Sequence, residues 1–220
     1  MNAPVANAPS LEARRVESRL LAASVAFFVV SAITPGPNNL MLASSGLTFG
    51  FRRTVPLTFG IQLGFQSLLI AVAAGLGVLF QRYPQVQWAL KVVGAAYLLY
   101  LAHKLWRSSS GGSASMERPI CFFKAAAFQV VNPKAWMMTV SAAGAYTPPG
   151  QAYWPSVWRL VAQFFIVCLP LMALWAVFGS AFRVAFLDPV MARRIGRTLA
   201  VAAGLSFLLV LLKARERDRP

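Results

Sequence analysis

The chain has 220 residues, of which 58% are hydrophobic and only 12% charged, and its mean hydropathy is +0.60. A soluble domain carries about 25% charged residues, so there is too little charge here to cover a soluble surface, and the hydrophobicity excludes intrinsic disorder. The formal net charge of +15 comes from 21 Lys and Arg against 6 Asp and Glu. These basic residues fall in short clusters between apolar runs, Arg52-Arg53 and Arg193-Arg194 among them. That distribution fits membrane anchors and topology signals and argues against a nucleic-acid partner, which asks for one basic face.

In chain order, residues 1–19 read as a polar tail. It is too long, and lacks the small-residue cleavage motif, for a secretory signal. A membrane-crossing helix needs about 20 mostly apolar residues. The first such run, Leu20 to about Phe49, is interrupted at Pro35-Gly36-Pro37. The second runs from Pro56 to Phe80 and the third from Val86 to Leu105, the latter carrying Lys91. Residues 107–120 contain a Ser/Gly-rich run and read as a flexible linker. The fourth run, Cys121 to Tyr146, is interrupted at Asn132-Pro133. The fifth, Val157 to Phe182, follows a Pro/Gly-rich turn, and the sixth, Ile195 to Leu212, leads into a charged tail at 213–220. The expected fold class is therefore all-α: a polytopic membrane protein with six transmembrane helices in two three-helix halves, 20–106 and 121–212. Three spans per half would invert the second half relative to the first, a common transporter plan. In agreement, the first helix of each half is broken by proline beside asparagine. Basic residues flank both faces in near-equal number, and the fourth loop, Thr147 to Pro155, which carries none, tips the expectation toward both termini outside.

The strongest local signal is Thr34-Pro35-Gly36-Pro37-Asn38-Asn39. Pro35 and Pro37 lack N–H groups and so free the carbonyls of Ser31 and Ile33. An unpaired backbone group in hydrocarbon costs several kcal/mol, so such a break persists only where protein or a watery cavity satisfies it. Free carbonyls suit an ammonium, and the N-terminus of the half-helix starting near Asn38 suits a carboxylate. One break thus matches both ends of an α-amino acid. At the second break, Asn132-Pro133-Lys134, Pro133 frees the carbonyl of Gln129, and Gln129 and Asn132 share a helix face. Lys134 either snorkels to the interface or meets a substrate carboxylate. Gln62 and Gln66 form an amide stripe that lines a cavity or joins helices, and Gly60 and Gly64 form a small face for close helix approach within the chain or in a homodimer. In the third run, Gly94 is a further packing position, and Tyr97 lines the cavity or belongs to the interfacial belt.

Absences narrow the chemistry. All six acidic residues, Glu12, Glu17, Glu117, Asp188, Glu216 and Asp218, lie in tails or loops. A cationic side chain in the bilayer wants a carboxylate partner, so a neutral substrate is favoured. No His/Cys/Asp/Glu grouping has metal-ligand spacing, and no phosphate loop or nucleophile–base pair is present. No metal, cofactor or catalytic residue is expected.

These motifs resemble the LysE/RhtB family of amino-acid exporters over nearly the whole chain after Arg19. The resemblance is carried by Thr34 to Asn39, Gly50-Phe51-Arg52, Gly60 and Gly64, Leu90-Lys91 with Gly94 to Leu98, and Asn132-Pro133-Lys134. Ala43-Ser44-Ser45 and Phe128 to Asn132 point to the cysteine and O-acetylserine exporter branch. There is one departure: many members carry an acidic residue just after the second glycine of the second helix, and Phe65 stands there. The resemblance implies a multi-pass protein of the bacterial inner membrane, not an enzyme, exporting small neutral amino acids or derivatives by alternating access on an ion gradient. The substrate-binding residues it implies, together with the reading above, are Pro35, Gly36, Pro37, Asn38, Asn39, Gln62, Gln66, Tyr97, Asn132, Pro133 and Lys134, with lipid as the surrounding partner. The rival is a membrane thiol–disulfide oxidoreductase using Cys121 and Cys168.

Overall fold

The computed structural model describes residues 11–83, 119–150 and 152–182, with isolated positions 85, 88, 89, 92, 96, 100 and 201. Lys91, Gly94, Tyr97, the Ser/Gly run at 108–115 and nearly all of the expected sixth span lie outside the described residues. Among the described residues every regular element is helical. We number them α1 (Leu11–Ile33), α2 (Pro37–Phe49), α3 (Phe51–Ala71), α4 (Gly77–Arg82), α5 (Phe122–Val131), α6 (Pro133–Tyr146) and α7 (Tyr153–Ala181). A π-helical turn, Val72–Leu76, joins α3 to α4.

Among the described residues three stretches are long and apolar enough to cross a membrane: Arg15–Ile33, Phe51–Leu76 and Tyr153–Ala181. α5 is a shorter apolar helix, parted from α6 only by Asn132. The first interruption falls at the end of a membrane-length helix instead of in its middle, because α1 already starts at Leu11, within the expected polar tail. Arg15 and Arg19 extend that helix as its exposed end.

Proline and glycine set the boundaries. α2 and α6 each begin with proline in the first turn, Pro37 and Pro133, where a missing N–H leaves nothing unpaired. Gly50 alone separates α2 from α3 and has φ 83°, a left-handed conformation that favours glycine. In the π turn, Gly75 has φ 116°, and Tyr153 on α7 donates its hydroxyl to the Ala73 carbonyl at 2.6 Å.

α7 is the axis, packing against α1, α2 and α3. Small residues bring the backbones together. A Cβ on Gly179 would stand 2.0 Å from the Ala43 carbonyl oxygen, and one on Gly46 2.2 Å from that of Ala176. α3 meets α5 in the same way: a Cβ on Gly60 would stand 2.3 Å from the Phe122 oxygen, and one on Gly64 2.6 Å from Ala126. The Gly60/Gly64 face is therefore used within one chain, and a homodimer has to use another surface. α1 is tied to α7 by Ser24 donating to Gln163 at 3.0 Å and by Trp175 donating to the Ala32 carbonyl at 3.3 Å. Between them, Phe28, Phe65 and Phe164 are almost fully buried; Phe65 and Phe164 stack with centroids 3.8 Å apart, and Phe28 meets Phe164 edge-on.

Candidate functional site

The two interruptions meet. Asn38, in the first turn of α2, forms a reciprocal amide pair with Gln129 near the end of α5. Its Nδ2 donates to Gln129 Oε1 at 2.9 Å, and its Oδ1 accepts from Gln129 Nε2 at 3.1 Å. Asn132 joins them, donating to Asn38 Oδ1 at 3.2 Å and to Gln129 Oε1 at 3.3 Å. Gln129 and Asn132 are fully buried and Asn38 half-buried. Asn132 also caps α6, its Oδ1 accepting from the Lys134 N–H at 3.1 Å.

The carbonyls at the end of α1 are taken up by side chains. Asn39 donates to the Ala32 oxygen at 2.7 Å and to the Thr34 oxygen at 3.0 Å. Lys134 reaches across from α6, and its Nζ donates to the Ser31 oxygen at 3.0 Å and to the Thr34 oxygen at 2.8 Å. Of the two sequence-level options for Lys134, snorkelling is thus replaced by an inward reach to the broken helix. The carbonyls that suit an ammonium hold this chain's own. Gly36 makes the reach possible through space, not dihedral angle: its φ of −168° is ordinary extended backbone. A Cβ there would stand 2.9 Å from Lys134 Cδ and 3.0 Å from Nζ.

Beside this cluster lies a cavity of about 30 Å³, room for one or two waters and not for an amino acid. One wall is polar, with Asn38, Asn39 and Lys134; the other is soft and apolar, with Phe65, Phe164, Met138, Met172 and Cys168. Phe65 therefore belongs to the cavity wall, stacked on Phe164.

The structure brings Pro35 to Asn39 together with Asn132, Pro133 and Lys134, and sets the two glutamines apart from them. Gln66 donates to the Val161 carbonyl at 3.1 Å and lines a shallow recess with Trp158 and Phe165. Gln62 is fully buried, and neither of its amide atoms has a hydrogen-bond partner. Gln129 enters as a member of the cluster; its signal in the sequence is an amide three residues before Asn132. Met138, Met172 and Gly179 carry no local signal beyond apolarity or small size.

The thiols give the oxidoreductase reading no support. Both are free; Cys121 is exposed at the start of α5, whereas Cys168 is buried in the middle of α7. Among the described residues no group of three His, Cys, Asp or Glu is placed to hold a metal ion.

Described residues that are all helical outside turns, with interrupted helices that bring amides and an ammonium together beside membrane-length apolar helices, have the construction of a membrane translocator. A family model described as LysE type translocator matches residues 29–214, and the chain belongs to that family. Proteins named Cysteine/O-acetylserine efflux protein from Salmonella typhimurium, Salmonella typhi and Escherichia coli (strain K12) are each 31% identical to it over 202 residues. The alignment covers 89% of this chain and 96% of each relative. No solved structure matches.

Proposed function

We propose that the chain exports cysteine, O-acetylserine and similar small neutral amino acids across the bacterial inner membrane, by alternating access driven by an ion gradient. The observation that carries this reading is the meeting of the two interruptions, which puts both signs of partner at one place. Carbonyls of Ser31 and Thr34 receive the α-ammonium. Lys134 Nζ and the N–H groups of Asn38 and Asn39 in the first turn of α2, which have no carbonyl partner within that helix, receive the α-carboxylate. The side chain lies against Phe65, Phe164 and the sulfur atoms of Met138, Met172 and Cys168, polarizable neighbours suited to a thiol or a short ester. Glu12 and Glu17, expected in the polar tail, lie instead in the exposed first half of α1, where Glu17 pairs with Arg159 of α7 at 2.6 Å. No acidic residue lines the cavity beside the interruptions, so a lysine or arginine side chain would find no carboxylate there. The relatives' names agree with this substrate class.

The test is efflux from cells overproducing the protein and loaded with labelled cysteine, O-acetylserine, leucine, lysine or arginine, with and without an uncoupler. Accelerated, uncoupler-sensitive loss of cysteine or O-acetylserine is expected. A Cys121→Ser variant, which leaves the cavity wall untouched and removes one of the two thiols a thiol–disulfide cycle would need, is expected to retain at least about half the rate. Preferential loss of lysine or arginine would refute the substrate class.

Gly36→Ala gives a second expected result. The atoms its Cβ would meet are the end of a flexible side chain, so stability is expected to change by no more than about 1 kcal/mol. The same Cβ narrows the space that any ammonium must enter, and efflux is expected to fall about tenfold, a barrier change of about 1.4 kcal/mol. Equal efflux at equal membrane abundance would remove Gly36 from the site.

A further inference from the structure

We propose that Lys134 is a tethered stand-in for the substrate's α-ammonium: its Nζ fills the carbonyl cage of Ser31 and Thr34 until an incoming amino acid displaces it and pairs with it. This rests on the exporter reading and deepens it. Three observations converge. Lys134 Nζ is within 3.0 Å of both carbonyl oxygens. Its stem passes over Gly36 at a distance that leaves no room for a Cβ. The cavity it helps to wall is too small for an amino acid, so the substrate's volume has to come from a rearrangement in which this side chain moves.

Electrostatics then fixes which ligands succeed. A bare amine entering the cage only exchanges one ammonium for another and leaves the charge of Lys134 without a partner, which is costly at membrane depth. A bare carboxylate can draw Lys134 away, but it leaves the Ser31 and Thr34 carbonyls unpaired. An α-amino acid does both at once. Its ammonium takes the cage, and its carboxylate takes the released Lys134 in a charge-assisted pair stronger than the carbonyl contacts it replaces. The site therefore requires both groups on one small molecule. Because Lys134 ties α6 to the end of α1, the exchange also unlocks one interrupted helix from the other.

A tethered group competes at a high effective concentration, and its removal is readable without transport. In the purified full-length protein in detergent, methylammonium binding is measured by thermal stabilisation against potassium chloride at equal ionic strength. Lys134→Ala is expected to bind methylammonium at least about tenfold more tightly than wild type, while losing cysteine binding. Lys134→Ser carries the same test if the alanine variant does not fold. In wild type, cysteine is expected to bind, and cysteamine and N-acetylcysteine, each lacking one of the two charged groups, to bind at least about tenfold more weakly. Equal methylammonium affinity in wild type and both variants overturns the proposal, as does cysteamine binding to wild type as tightly as cysteine. If the methylammonium contrast holds but wild type binds no amino acid, the exporter reading fails and takes the exchange with it, leaving only the cage; the two failures are thus distinct.

Discussion

Replacing Asn38 with Ala is expected to lower cysteine efflux by about 100-fold while leaving the chain in the membrane. Asn38 joins the two interruptions directly, through one donated and two accepted hydrogen bonds with Gln129 and Asn132. Removing its amide strips Gln129 Oε1 of one donor and two buried N–H groups of an acceptor. A buried polar group left without its partner costs about 1–3 kcal/mol. Gln129 Nε2 keeps its bond to the Ala125 carbonyl and Asn132 Nδ2 its bond to Gln129 Oε1, so the loss falls at the low end for each. Together the two amount to roughly 2.7 kcal/mol, and each 1.36 kcal/mol added to a barrier is tenfold in rate. Membrane insertion follows apolarity, and Ala is the more apolar residue, so abundance in the membrane is expected to hold. The check is labelled-cysteine efflux normalised to membrane protein. Unchanged efflux would remove Asn38 from the transport machinery.

Gly179→Ala is expected to destabilise the protein by roughly 4 kcal/mol, among the larger effects a single substitution produces. The new Cβ meets the Ala43 carbonyl oxygen at 2.0 Å and its carbonyl carbon at 2.8 Å. These are backbone atoms inside α2, which cannot turn aside as a side chain can. The contact is doubled from the other helix, where Gly46 faces the Ala176 carbonyl. To relieve either clash α2 and α7 must separate, loosening the small-residue packing along the axis of the structure. Gly144 provides the internal control. It lies in α6, is exposed, and has nothing within 4 Å of its notional Cβ. Gly144→Ala is expected to be neutral or to stabilise by up to about 1 kcal/mol, the difference in helix propensity. Thermal unfolding of both variants in one detergent separates the cases; similar melting temperatures would mean that α2 and α7 do not pack as closely as described.

What could be read from the sequence is local chemistry. The interruptions at Pro35-Gly36-Pro37 and Asn132-Pro133 were legible because a proline lacks its N–H wherever the chain places it. The apolar runs were legible because hydrophobicity in lipid is a property of each segment. Even so, the start of α1 at Leu11 was not visible, since helical continuation through Arg15 and Arg19 costs nothing at a solvated helix end and leaves no mark in hydropathy. The family followed from the same short motifs.

Sequence alone therefore determined that this chain is helical, apolar and broken at two defined points, since each follows from residues within a few positions of one another. Tertiary structure alone decided what the breaks do. Of the two carbonyls the prolines free, that of Ser31 takes the ammonium of Lys134, and the second partner is Thr34 in place of Ile33; Lys134 lies 100 residues or more further along the chain. No local pattern distinguishes that reach from a lysine that snorkels. The amide of Asn38 finds Gln129 and Asn132 because α3 holds α5 at the Gly60/Gly64 face while α7 holds α2 at Gly46 and Gly179. Partner choice between distant segments depends on how closely whole helices approach, and that distance is set by the packing of both surfaces together.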